Sequence, residues 1–400
     1  MNTIVFVREE ANPRLYNQAL ALKRSNKYKL ILLCRTFDFE TLTILKNIFN
    51  KIICYQPFNL NNYGLYQNFN SSLASHFMKY LVYCYFEPWV GNFAEINRLP
   101  SILENIRADV FNCPGGPYKL TQRIIKQTKC PVILDLHNGS ISKGIDKLSK
   151  IQLEIDSFNF ENAAGIIHRG KNFEIEYYKK YEYNINCPIL NYLDACNKEF
   201  FVKNELKKIS SEDSEYHLVD IGSGLSLTRI ALAKKLAKQK IHYHLYSVPY
   251  SLIYPVVFKE LNRLNKFEKY FHLERTVPFH LISQEISKYD FGSMLRTSVY
   301  LNQYTLDYLK VATSYRIFNY LEAGLPVIIS ERYEFMKKII EENKIGFSIK
   351  DSELGDFSKM INKNEYSNLR SNVIRTREKL RFEKNENKVV DFYTKIIEGN

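Results

Sequence analysis

A succession of short apolar runs, each closing on a polar residue or a glycine, constrains this chain more than any other feature. TIVFV, YKLILLC, KIICYQP, ADVFNCPGG, CPVILDLHN and AAGIIHRG occupy the first half. Helix-like segments separate several of them, the first running from Pro13 to Lys27. Runs that are apolar throughout, rather than alternating, suit strands buried on both faces. Such strands pair in parallel beneath covering helices. The second half repeats the grammar in YHLVDIGSG, IHYHLYS, KYFHLERTV, YDFGSMLR and LPVIIS, after a polar, charged linker at Lys203–Glu215. The expectation is an α/β protein of two Rossmann-like domains facing a cleft, divided at residues 1–200 and 201–380. Open α/β sheets bind ligands at the carboxyl ends of their strands, and clefts between domains are the usual ligand sites.

Length agrees, since 400 residues exceed what one small core organises. The opening MNTIVFVREEAN has too short an apolar run for a signal peptide, and no stretch reaches the ~18 apolar residues of a membrane span. Seven cysteines without a CxxC pair suit a reduced, cytoplasmic protein without structural zinc. A formal charge of +13 calls for an anionic partner: a phosphorylated substrate, an acidic membrane or nucleic acid. No nucleic-acid-binding motif accompanies the charge, which disfavours the last.

The stretch HLVDIGSGLSLTRIALAKKL raises the question of what its Gly-Ser-Gly turn serves. A methyltransferase or dinucleotide site needs a fuller glycine pattern and an acidic residue ending the next strand. Here Ser226 replaces the third glycine, and IHYHLYS offers Tyr246 and Ser247. What remains is a tight strand-to-helix turn, Gly222, Ser223 and Gly224, whose N–H groups suit a phosphate.

The segment ATSYRIFNYLEAGLPVIIS, Ala312–Ser330, resembles the donor-site signature of GT-B glycosyltransferases, in particular the family-4-like, group 1 enzymes that use nucleotide-sugar donors. Thr313, Ser314, Arg316, Asn319, Tyr320, Gly324, Pro326 and Val327 fall in its register. Neighbouring segments follow the family's order. YHLVDIGSG is similar to the first strand of the donor domain, HLERTVPFHLISQEISKYDFGSMLR to a later segment containing Val277, and NCPILNYLDACNKEF to the hinge. The resemblance implies a C-terminal helix, residues 381–400, packing back on the first domain. It also implies Arg316 as the phosphate-facing cation, with Arg229 as a second one. Arg296 ends the YDFGSMLR strand at its ligand side. Asn319 stands where the family has a ribose-binding glutamate, and Glu322, one turn on, is a candidate substitute. On the acceptor side, His137 resembles a histidine placed beside the donor sugar, able to orient a hydroxyl or share a proton. Asn138 follows it, Arg8 and Glu9 follow the first strand, and Gly115 and Gly116 form a turn at another strand end. Asp135 is expected to point into the fold.

Metal is disfavoured: DFDFE only approaches a DxD pair, and no His/Cys group has ligand spacing along the chain. No Walker loop is present. No cofactor is expected beyond the nucleotide sugar as substrate. The aromatic stretch Ser75–Phe93, which holds Trp89, is a core helix or a place of contact with an anionic membrane. The expected activity is metal-independent hexosyl transfer from a nucleotide-diphosphate sugar, UDP-linked for example, to a glycan or lipid-linked acceptor in surface polysaccharide or glycoconjugate synthesis. Retention of configuration is implied by the resemblance, and a peripheral place on the inner face of the plasma membrane fits the charge. A nucleotide-sugar 2-epimerase of the same fold and a non-catalytic binding protein are the rival readings.

Overall fold

The computed structural model describes residues 1–36, 39–54, 101–136, 148–169, 173–192, 194–222, 227–247, 255–296, 309–310, 312–361 and 363–399. The chain divides into two compact units, Met1–Leu193 with Lys384–Asn400, and Asp194–Glu383. The first boundary lies before the charged linker read from sequence, and the short helix Ser210–Asp213 occupies part of that linker.

In the first unit, strands β1 (Asn2–Glu10), β2 (Tyr28–Thr36), β3 (Lys51–Cys54), β4 (Val110–Pro114), β5 (Val132–Leu136), β6 (Gly165–His168) and β7 (Ile189–Asn191) form a parallel sheet. Their order is β3-β2-β1-β4-β5-β6-β7. Ile4 to Val7 and Val132 to Leu136 are buried, as apolar runs covered on both faces require. Asn12 caps the first helix, Pro13–Arg24, by accepting from the Leu15 N–H. The helix Glu386–Glu398 belongs to this unit and buries Val389, Phe392, Tyr393 and Ile396. The Asn112 side chain donates to the Tyr393 hydroxyl, tying this helix to β4.

In the second unit, β8 (His217–Ile221), β9 (His242–Tyr246), β10 (Phe271–Glu274), β11 (Phe291–Met294), β12 (Val327–Ser330) and β13 (Gly346–Ile349) form another parallel sheet. Its order is β10-β9-β8-β11-β12-β13. Leu218, Tyr243, Leu245, Phe271, Phe291 and Ile328 meet Leu232, Leu236 and Leu261 of the covering helices in one core. Two strands, β7 and β13, were not among the apolar runs identified in the sequence. β7 is three residues long with an exposed–intermediate–exposed pattern. β13 opens on Gly346, so close to β12 that a Cβ would lie 1.8 Å from the Val327 carbonyl oxygen.

In both sheets the strand order reverses beside the first strand, between β1 and β4 and between β8 and β11. The carboxyl ends flanking such a reversal are where open α/β sheets bind ligands.

Candidate functional site

The reversal in the second sheet gathers an arginine cluster. β8 ends at Ile221 and turns at Gly222, whose φ of 151° suits glycine. A Cβ at Gly222 would stand 3.3 Å from Arg316 Cδ and 3.5 Å from Arg229 Nη2, so the bare backbone lets both guanidinium groups approach. Arg229, on the helix Leu227–Ala237, donates to the Gly222 carbonyl oxygen at 3.3 Å and to Asp220 Oδ1 at 3.1 Å. Arg316, first residue of the helix Arg316–Glu322, donates to the same Asp220 oxygen at 2.9 Å and to Ser314 Oγ at 3.1 Å. Tyr243 donates to Asp220 Oδ2 at 2.7 Å. Arg296, just past β11, donates to the Tyr333 hydroxyl at 3.2 Å.

These contacts set the protonation states. Burial disfavours the Asp220 carboxylate, but Arg229, then Arg316 and Arg296, outweigh it and hold the group below its usual range. Burial would likewise raise Tyr333, yet Arg296 and Arg316 pull its phenol below the ordinary value. Burial opposes the Arg316 charge as well, and Asp220 foremost restores it. One carboxylate thus faces three guanidinium groups, leaving the cluster net positive. Exposure separates their tasks. The Arg316 side chain keeps 17% of its surface open, against 1% for Arg229 and 2% for Asp220. Arg316 and the half-buried Arg296 are the members placed to meet a solute.

Beneath the cluster, the Tyr320 hydroxyl donates to the Ser293 carbonyl oxygen at 3.0 Å and accepts from the Ile221 N–H at 3.2 Å, bridging β8 and β11. A Cβ at Gly292 would stand 2.2 Å from Tyr320 Cγ. Gly292→Ala is therefore expected to displace this ring and cost about 1–3 kcal/mol through overpacking. A lowered urea midpoint checks it; an unchanged midpoint would show that the ring shifts freely.

The other candidates fall in several places. Ser314 joins the cluster, and Thr313 precedes it at half-burial. Val277 lies half-buried after β10, two strands from the reversal. Asn319 and Glu322 are engaged elsewhere. Glu322 Oε1 accepts from the Asn197 N–H at 2.7 Å and from the Tyr315 hydroxyl at 3.4 Å. Its Oε2 accepts from Ser283 at 2.9 Å and from the Asn319 amide at 3.2 Å. This carboxyl therefore braces the helix Arg316–Glu322 instead of standing in for a ribose-binding group. Ser223, Gly224, His137, Asn138 and Trp89 lie outside the described residues.

In the first unit, Arg8 corrects its sequence reading. It lies within β1, which continues to Glu10, and is buried rather than placed in a loop after the strand. Its guanidinium donates to Asp135 Oδ2 at 2.8 Å and to Asn112 Oδ1 at 2.5 Å. Arg14 and Gln18 also donate to Asp135, at 2.9 and 3.0 Å, so Asp135 points into the fold. Glu9 lies in the same strand. Gly115 is dictated by packing, because a Cβ would come within 2.2 Å of Leu136 Cδ2. The Gly116 carbonyl accepts from Asn159 at 3.0 Å. Sequence reasoning missed Asp220, Tyr243 and Tyr333 as parts of the arginine cluster, and read Tyr320 only as a match to the donor-site signature. The one signal available was an aspartate inside an apolar strand, since a buried carboxylate needs a cation.

Residues 230–390 match a family model described as "Glucosyltransferase 3-like, C-terminal domain". No curated protein matches the sequence. HepE of Anabaena, solved in complex with UDP-glucose, is similar in structure with a TM-score of 0.66 at 11% identity, over 98% of this chain and all of that one. The fold is that of the GT-B glycosyltransferases. Sucrose-phosphate synthase of Thermosynechococcus elongatus shares the fold with a TM-score of 0.64 at 9% identity, over the whole of both chains. A protein from Listeria monocytogenes described as a UDP-N-acetylglucosamine 2-epimerase scores 0.55 at 9% identity, over all of this chain and 98% of its own. Among the described residues no helix is long and apolar enough to cross a membrane.

Proposed function

We propose that this GT-B protein is a glycosyltransferase whose second unit holds the diphosphate of a UDP-sugar at Gly222, Arg229, Arg296 and Arg316. The observation that carries this reading is the net-positive arginine cluster at the strand-order reversal. Its half-buried members are Arg316 and Arg296, and Gly222 leaves room for the Arg316 side chain at the turn. Sugar transfer builds negative charge on the departing diphosphate, and preorganised guanidinium groups in a water-poor site stabilise that charge as it forms. Turnover is therefore expected to need no added magnesium or manganese ion. HepE, solved with UDP and with UDP-glucose, supports the choice of donor.

The sugar goes to a glycan or lipid-linked acceptor, with His137 orienting the accepting hydroxyl. The positive charge of the chain suits a place against an anionic inner membrane face. The epimerase likeness supports a second reading on the same donor class. Product analysis separates the two, because a transferase releases UDP and an epimerase leaves the nucleotide attached.

Titration with UDP and UDP-glucose tests the site. Arg316→Ala removes charge-assisted hydrogen bonds worth about 1.5–3 kcal/mol. UDP affinity is expected to fall roughly 10- to 100-fold, with urea unfolding little changed. Equal affinity in the variant would remove Arg316 from the donor site. No UDP binding by the parent protein would remove the whole reading.

A further inference from the structure

At the other end of strands β8 and β9 the chain builds a second polar centre. β8 opens with His217 and β9 with His242, and the register sets the two opposite each other. His244 stands opposite His272 on β10 in the same manner. His242 and His244 are two residues apart in one strand, so they share a face of the sheet. The His217 and His242 rings stack 4.3 Å apart and 3° from parallel, and those of His244 and His272 stack 4.2 Å apart at 12°.

The outer edge of this stack meets two carboxylates. His217 Nε2 lies 3.0 Å from Asp213 Oδ2. His242 Nε2 lies 2.7 Å from Glu215 Oε2 and 3.5 Å from Asp213 Oδ2. Ligand atoms of Asp213, Glu215 and His242 all fall within 4.8 Å of one another, as do those of His217, His242 and His244. The imidazoles are buried, with 3% and 6% of the His217 and His242 side chains exposed. Asp213 and Glu215 keep 35% and 21%, which leaves an entry path from solvent.

We propose that Asp213, Glu215 and His242 form a binding site for one divalent transition ion of the zinc class, with water completing its coordination. One imidazole nitrogen and two carboxylate oxygens suit zinc, cobalt or nickel. Calcium and magnesium prefer all-oxygen sets, and copper(I) prefers sulfur. Two carboxylates also balance the charge of a divalent ion held by a neutral imidazole. The His217 ring lies only 3° from parallel to His242, so it stacks on the ligand and does not share the ion.

The inner nitrogens carry the second argument. His217 Nδ1 faces His244 Nε2 at 2.9 Å, and His242 Nδ1 faces His272 Nε2 at 2.8 Å. His244 Nδ1 in turn faces Glu274 Oε1 at 2.8 Å. The histidine ligand His242 thus has its far nitrogen held by His272, the arrangement that fixes tautomer and ring orientation in metal-binding histidines. Glu215 has two other partners, Lys269 Nζ at 3.3 Å and the Tyr270 hydroxyl at 3.3 Å. Lys269 is largely exposed, so it can swing away as the carboxylate turns to the ion.

β8 enters at His217 and leaves at Ile221, so the ion stands at the strand end opposite Gly222 and Arg316. Its role there is to fasten β9 to the helix Ser210–Asp213 and to the segment that leads into β8. The site stands independently of the donor site proposed above.

The test uses untagged full-length protein, dialysed against chelator and titrated calorimetrically with zinc chloride. Uptake of one equivalent with a raised melting temperature is expected. The cobalt(II) form is expected to show the visible absorption of low-symmetry coordination by nitrogen and oxygen. Asp213→Asn and Glu215→Gln alter accessible side chains and are expected to weaken zinc binding at least tenfold each. His272→Gln is expected to weaken it roughly 10- to 100-fold, because His272 holds the inner nitrogen of His242. No stoichiometric uptake, or affinity unchanged in both carboxylate variants, would overturn the proposal and leave a purely hydrogen-bonded histidine ladder.

Discussion

Asp220→Ala is expected to lower the stability of the second unit by about 3–5 kcal/mol, the usual consequence of removing one partner from a buried ion pair. The loss exceeds that of a single contact. One Asp220 oxygen receives both Arg229 and Arg316, and the other receives the Tyr243 hydroxyl. Without the carboxylate, Arg229 stays at 1% exposure with a like charge beside it. Asp220→Asn keeps the shape and can still accept hydrogen bonds, so it is expected to cost less. Urea unfolding near pH 7 measures both variants. A cost below about 1 kcal/mol for alanine would mean that the arginines find other partners or water.

The same substitution links stability to the proposed donor site. Asp220 holds Arg316 toward the Gly222 turn while cancelling only part of the local charge. Arg316 loses this anchor in Asp220→Ala, so UDP affinity is expected to fall even though the site becomes more positive. Stronger UDP binding in the variant would show that net charge, and not orientation, governs the site.

The second large effect concerns pH. Burial pushes the Glu322 carboxyl up to about 7, despite donors from the Asn197 N–H, Ser283, Asn319 and Tyr315 that favour the charged form. An unfolded glutamate titrates near 4.5. Between these values the folded chain keeps a proton that the unfolded chain has released. Stability from this group is thus full below about pH 4.5 and is lost as pH rises through about 7. The integrated loss is roughly 3 kcal/mol. Glu322→Gln removes the titration. Its carbonyl can still accept from Asn197, while Ser283 and a flipped Asn319 amide can accept from its NH2 group. The variant is expected to gain on the parent from pH 5 to pH 8 by about that amount, because other titrating groups cancel in the comparison. Urea midpoints across this range decide the matter, and parallel profiles would show Glu322 ionised throughout.

Much of the fold was legible because buried parallel strands leave a plain trace. Runs such as ILLC in β2 and VIL in β5 are apolar on both faces, and their short length between turn residues marks them as strands. β7 and β13 left no such trace. β7 is a short, partly exposed edge strand, and β13 is only half-buried along most of its length, so neither needs a continuous apolar run. Arg316, Arg229 and Gly222 could be picked out as donor-site candidates because each sits at a strand end or helix start within a recognisable segment. Asn319 and Glu322 shared that segment and misled. Sequence register gives a residue's place on a helix, whereas the partners of its side chain come from other elements, here Asn197 and Ser283.

The sequence by itself determined that this chain forms parallel α/β sheets, where most of their strands lie, and which arginine heads the Arg316–Glu322 helix. Tertiary structure alone decided that Asp220 would pair with Arg229 and Arg316, and that Arg8 would be spent on Asp135. It also assembled the histidines of three strands against two carboxylates. The physical reason is range. Burial patterns and turn preferences act between chain neighbours and leave their mark in local composition. Pairing of charges and sharing of ligand atoms act through space, between residues such as Asp220 and Arg316 or His217 and His244, and no local pattern records such meetings.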